Sequence, residues 1–223
     1  MRNTLLFICL VCLGLSAQAQ EKDFQLSLTP DLALEAEDVT INGFAFNVWG
    51  NNRQRFVDLG IVNGTQTDSL GLNFSLLLNY GQDYSGLMVS AVNNYNANTK
   101  GVQLGLLNGS AGQMSGYQLG LGNCAKAGAK GAQFGLLNHT DGHMDGVQLG
   151  LINCAQGFTG AQIGVLNHAA NLSGVQIGLI NYAEKAQDGL QLGLINVIGN
   201  NDSFLGKLGG EVAPAMIVAN WKF

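Results

Sequence analysis

The chain has 223 residues and a formal charge of −5, with 10 Lys and Arg against 15 Asp and Glu and only 11% charged residues in all. So acidic and thinly charged a composition has no footprint for nucleic acid and none for electrostatic docking on anionic lipid. The 32 Gly against 2 Pro are the balance of a repeat protein rather than of a disordered one.

The first residues read as an export signal. Arg2 supplies a positive start, Leu5 to Leu15 an apolar run, and Ala17-Gln18-Ala19 small residues at both cleavage-determining positions. Cleavage is expected between Ala19 and Gln20, because the run is too short to span a bilayer. Cys9 follows Ile8 and Cys12 follows Val11, so neither has the small preceding residue that lipidation uses. Loss of 1–19 leaves 9 basic and 15 acidic groups, a charge of −6, and two of the four Cys, Cys124 and Cys154. The expected location is the cell surface or outer membrane of a Gram-negative bacterium, or secretion.

Residues 20–55 carry no clear repeat and read as an N-terminal cap, although "GFAFNVWG" (43–50) has the outline of a copy. From residue 56 to 203 the chain repeats. The clearest copies begin at Gly101, Gly116, Gly131, Gly146, Gly160, Gly174 and Gly189, at steps of 15, 15, 15, 14, 14 and 15 residues. Each opens with an octet G-x-Q-x-G-x-x-N, as in "GVQLGLLN" (101–108). Degraded copies start at Phe56, Gly71 and Gly86, with Asp58 in the Gln position and Asn63 and Asn93 in the Asn position. Ten registers fill the segment. Positions 2, 4 and 6 of the octet are apolar, an alternation of period two that predicts a strand. All seven charges between 101 and 200 fall outside the octets. Residues 204–223, with Pro214, read as a C-terminal cap strand.

Strands every 15 residues fit an all-β β-solenoid of about ten coils with irregular caps, or a small outer-membrane β-barrel serving as pore or anchor. A barrel has no reason to keep alternate connections equal, and its spanning strands are about 9–11 residues long. In a solenoid every coil takes the same path, so one period is expected. Gln103, Gln118, Gln133, Gln148, Gln162, Gln176 and Gln191 then stack as an amide ladder, and so do Asn108, Asn123, Asn138, Asn153, Asn167, Asn181 and Asn196. The apolar ending "AMIVANWKF" is the feature that favours the barrel. Burial of branched side chains is worth about 1.5–3 kcal/mol each. The 2/4/6 face (Val175, Ile177, Leu179 in one copy) is therefore expected inside, with Gly-Gln-Gly outside.

From Gly43 to Asn196 the octets resemble the leptospiral-type surface-repeat family of exported bacterial proteins. That resemblance implies surface exposure and supplies no activity and no catalytic residue. Strings such as Gln118-Gly120-Asn123-Ala125 and Gln148-Gly150-Asn153-Ala155 also resemble curlin repeats in part, without the leading Ser and with shorter coils.

No catalytic motif is present, and neither an enzymatic activity nor a cofactor is expected. The residue after each Asn reads Gly109, Cys124, His139, Cys154, His168, Tyr182. Cys and His in one column have the chemistry of zinc ligands, but Gly109 and Tyr182 in the same column point to a position that tolerates medium-sized residues, and no metal is expected. Cys124 and Cys154 stand two coils apart, about 9.6 Å at strand spacing, beyond disulfide reach, so both are expected as free thiols. His143 between Asp141 and Asp145 lies in a variable segment and reads as a solvated loop. "GLGNCA" (120–125) touches the dinucleotide fingerprint, but no helix pattern follows it. The function expected is a non-enzymatic structural rod presenting a sheet face for adhesion or partner binding, with self-association as one form of it. The barrel is the alternative.

Overall fold

The computed structural model describes residues 20–201 and 213–223, so the export signal expected at 1–19 lies outside the described residues. Fourteen strands and no helix form a single sheet system among them. Successive coils pair in parallel. Residues 113–119 align with 128–134, which align with 143–149, so that Gln118, Gln133 and Gln148 stand opposite one another. The register continues through Gln162 and Gln176, and on the other strip of each coil through Asn123, Asn138, Asn153 and Asn167. This is a β-solenoid of about ten coils, and the parallel register excludes the barrel.

In most of the clean copies the chain bends at octet positions 5 and 6, for example Gly135 and Leu136. Strands there end at position 4 and resume at position 7, as at Leu119 and Gly122 or at Leu149 and Ile152. Two glycine columns make these paths possible. At position 1, Gly131 has φ +127°, and a Cβ there would lie 2.1 Å from the carbonyl oxygen of Gly116 one coil earlier. At position 5, a Cβ on Gly150 would lie 2.3 Å from the Gly135 oxygen and 2.7 Å from Asn138 Nδ2. Any side chain would push the coils apart or displace the Asn.

The ends are closed by antiparallel strands. Glu21–Thr29 and Thr40–Gly50 extend the parallel stack at irregular steps, and Leu32–Ala33 folds back on the first of them. At the other end, Ala215–Lys222 pairs antiparallel with Gly189–Val197. A register shift there coincides with Val218 at φ 74°, a bulge that re-aims the strand. Both exposed edges are blunted in this way.

The expected inside and outside are reversed. Every ladder Gln from Gln103 to Gln191 is fully buried, and the ladder Asn residues are at most 3% exposed. The apolar position 6 points out, from Val165 at 39% exposed to Leu194 at 64%. The interior holds four columns: Gln at position 3, Asn at 8, a small residue at 10 (Ser110, Ala125, Thr140, Ala155, Ala169, Ala183), and a larger one from the variable segment (Met114, Met144, Phe158, Leu172). The reason is that the amides satisfy one another. Each Gln Nε2 donates to the Gln Oε1 of the preceding coil at 2.7–2.8 Å. Its second hydrogen goes across the interior to the carbonyl six residues on, at 2.9–3.5 Å. A buried amide with both donors placed carries little desolvation penalty.

These contacts reverse the expected mutational response. Gln148→Ala removes a donor to Gln133 and to the Cys154 carbonyl, and an acceptor for Gln162. Each orphaned buried group costs about 1–3 kcal/mol, so the loss should reach several kcal/mol. Leu149→Asp, at an exposed position, should stay within about 1 kcal/mol. Denaturant melts at low protein concentration measure both, and a larger loss for Leu149→Asp would contradict the amide core.

Candidate functional site

Because the octet interior is amide, its apolar side chains gather on the surface. Position 4 forms one column, in which Leu26 pairs with Phe46, Phe46 with Leu59, Val89 with Leu104, Leu104 with Leu119, Phe134 with Leu149, and Ile163 with Ile177. Position 6 forms a second: Leu106, Leu121, Leu136, Leu151, Val165, Leu179 and Leu194, all exposed. Position 7 adds Leu107, Leu137, Ile152, Leu166, Ile180 and Ile195 around the bend. No charged residue interrupts these columns from Gly101 to Asn196. A contiguous apolar strip of this length is at the upper end of the apolar patches that soluble monomers carry, and patches of that size are often functional.

The strip has relief. Gly135, Gly150 and Gly164 at position 5 leave a groove of about 460 Å³ between the ridge of Phe134, Leu149 and Ile163 and the ridge of Leu136, Leu151 and Val165. Beyond the bend, the missing side chains of Gly109 and Gly122 open a second hollow of about 350 Å³, bordered by Tyr95, Leu107, Cys124, Leu137 and His139. The first hollow is lined by aliphatic side chains and glycine apart from Phe134, and the second mixes Leu107 and Leu137 with Tyr95, Cys124 and His139.

The strip was not foreseen as a site, although one signal for it is in the octet. Positions 6 and 7 are apolar together, and neighbouring residues of a strand cannot both face inward. The ladder residues all occupy the expected columns, with one shift. Asn94, not Asn93, joins the Asn ladder, accepting from Asn79 at 2.8 Å and donating to Asn108 at 2.9 Å.

The Cys and His column is in register: Cys124 beside His139, His139 beside Cys154, and Cys154 beside His168. No group of three or more His, Cys, Asp or Glu disposed to hold a metal occurs among the described residues. The two imidazoles are engaged otherwise. His139 Nε2 lies 2.6 Å from Asp141, and His168 lies 3.7 Å from Glu184 and stacks on Tyr182 with centroids 5.5 Å apart. Asp141 thus pairs with His139 and not with His143, which borders a cleft of about 380 Å³ with Phe158, Leu172 and Lys185. Cys124 and Cys154 are free thiols, each with a pKa raised by burial. Such thiols are poor nucleophiles.

One buried titratable group stands apart. Asp58 occupies the Gln column in a degraded coil, between Ala45 and Asn73. Burial lifts its pKa to about 7 against a hydrogen bond from Asn47 Nδ2 that lowers it. Tyr84, buried nearby with its hydroxyl donating to the Gly71 and Leu87 carbonyls, is pushed up by burial and by the Asp58 charge.

Comparison with family models, with curated proteins and with solved structures finds no match for this chain.

Asp58 predicts a pH response. Its pKa is raised on folding, so the folded state holds the proton that the unfolded chain releases above about 4. Its contribution to stability is therefore full below pH 4 and is lost as pH rises through 7. The difference between 3.8 and about 7 corresponds to roughly 4 kcal/mol. Asp58→Asn should stabilise the rod at pH 8 by up to that amount and leave it little changed at pH 4. Equal gains at both pH values in chemical melts would contradict a neutral, buried Asp58.

Proposed function

We propose that the chain is an exported, non-catalytic structural rod that binds a partner through its apolar strip, as a surface or adhesive module. The observation that carries this reading is the strip itself, aliphatic side chains held outward along the coils by an amide core. A rigid parallel stack keeps those side chains at fixed spacing, so little conformational entropy is lost on binding. The export signal at 1–19 and the octets' resemblance to the leptospiral-type surface-repeat family support a place on the cell surface or outside the cell. The exposed His–carboxylate pairs and the poorly nucleophilic thiols give no support to a catalytic reading. The partner meets the strip and not a Gly-Gln-Gly face, since the Gln residues are internal.

The test uses the exported protein. Its N-terminus should be Gln20, and in a gentle detergent-free extract its native mass should exceed that of one chain. Leu121→Lys, Leu151→Lys and Leu179→Lys together place three cations on the position-6 ridge. They should return the protein to single-chain mass while leaving its melt unchanged. A wild-type protein already at single-chain mass and freely soluble would contradict a binding role for the strip.

A further inference from the structure

Resting on the reading of the strip as a binding face, we infer that its occupant is a second copy of this chain, packed strip to strip with the two rods antiparallel. Size, shape and charge each point to this partner.

Ten coils at about 4.8 Å give a strip about 48 Å long, and positions 4 to 7 span about 13 Å at 3.3 Å per residue. The footprint of about 600 Å² per copy approaches the roughly 800 Å² per partner of a stable complex, and apart from Ser75 and Asn93 in the degraded coils it is apolar, as the cores of homodimer interfaces are. The groove along the position-5 glycines takes a ridge of branched side chains repeating at the strand spacing. The surface that carries such a ridge at the same repeat is the strip of another copy. A two-fold axis makes the fit reciprocal and closed.

Charge selects the antiparallel arrangement. Along the residue just before each copy, Arg55, Lys100 and Lys130 lie in the N-terminal part of the run, and Asp145 and Asp188 lie in the C-terminal part, all exposed. Face-to-face rods related by a two-fold axis across their length bring this column against the same column of the partner in reverse order. With all ten coils overlapped in reverse order, Arg55 of one copy then meets Asp188 of the other, and Lys100 meets Asp145. Parallel rods would set the charged column against the Cys124 and His139 column instead. A lipid surface fits less well, because interfacial binding uses a cationic rim. The strip is bordered by mixed charges on one side and on the other by the column from Cys124 to Tyr182, whose His139 and His168 lie against Asp141 and Glu184, so neither rim is cationic.

Sedimentation of the chain from Gln20 to Phe223 over a range of concentrations, without detergent, tests the inference. A dimer is expected, and Leu121→Lys with Leu151→Lys and Leu179→Lys should give a monomer with an unchanged strand spectrum. Lys100→Glu should weaken the dimer about tenfold, and adding Asp145→Lys should restore it to within about threefold. These two positions are three coils apart in one chain, about 14 Å at strand spacing, so rescue reports a contact between copies. A dimer that survives the three Leu substitutions, or Lys100→Glu without rescue, overturns the antiparallel strip-to-strip pairing. A monomer that floats with phosphatidylcholine vesicles overturns it while leaving the strip a binding face. A monomer that neither floats nor associates overturns both.

Discussion

A side-chain amide has two N–H donors, and burying it without partners for both is costly. In this rod each ladder Gln gives one hydrogen to its own copy one coil away and the other to a backbone carbonyl across the interior. The ladder Asn residues from Asn94 to Asn181 do likewise, donating to the next Asn and to the position-4 carbonyl of the next coil at 2.8–3.0 Å. Both arrangements require every coil to follow the same path at strand spacing. The period of 14–15 residues, the two glycine columns and the small residue at position 10 all follow from that requirement. Segments outside the stack carry no such constraint, so they differ from copy to copy.

The two ladders run in opposite senses. Asn residues donate towards the C-terminus, from Asn79 through to Asn196, while Gln residues donate towards the N-terminus, from Gln191 back to Gln103. Each ladder therefore ends on an acceptor with nothing to receive, and Asn79 Oδ1 and Gln191 Oε1 are buried without a hydrogen-bond partner among the described residues. These atoms sit at opposite ends of the regular stack. At the C-terminal end the antiparallel cap strand sets Asn220 opposite Gln191 and cannot extend the Gln ladder, whereas at the other end Asn63, parallel to Asn79, gives its Nδ2 hydrogens to Asn73 Oδ1 and the Phe74 carbonyl instead. Near the N-terminal end the Gln column changes to Asp58, Asn73 and Met88, and the buried carboxyl of Asp58 marks where the amide solution lapses.

The architecture was legible because stacking converts a sequence period directly into a spatial one. Seven clean octets with equal steps left the strand, the parallel register and the ladder residues readable, and the unequal needs of a barrel's two ends counted against it. The orientation was misread. Alternation at positions 2, 4 and 6 was weighed by transfer free energy alone, which favours aliphatic burial, without counting the donors that Gln and Asn could satisfy in each other. The residue at position 10, small in six of the seven clean copies, and the paired apolar residues at 6 and 7 held the correct parity. The one-residue shift from Asn93 to Asn94 was not readable, because it comes from an extra residue in two degraded coils that no octet shows. The groove over the position-5 glycines needed coordinates, since it depends on where the bend throws the ridges on either side.

Placing amides inside and aliphatic groups outside separates two free energies that most folds combine. Folding of a single rod draws on ladder bonds, backbone pairing and a narrow apolar seam of Met114, Met144, Phe158 and Leu172. The burial of Leu121, Leu151, Leu179 and their neighbours, each worth about 1.5–3 kcal/mol when complete, is left for association. A rod of this kind is ordered before it meets anything, so binding has little chain entropy left to overcome. The same repeat that orders the rod also spaces its outer ridges, so a surface matched to one coil is matched to all of them. Such a strip fixes the direction of approach but only weakly fixes the position along the axis, since a slip of one coil sacrifices about a tenth of the overlap. Position must come from features that do not repeat. The charges before the octets, basic in one part of the run and acidic in the other, are the features on that face able to supply it.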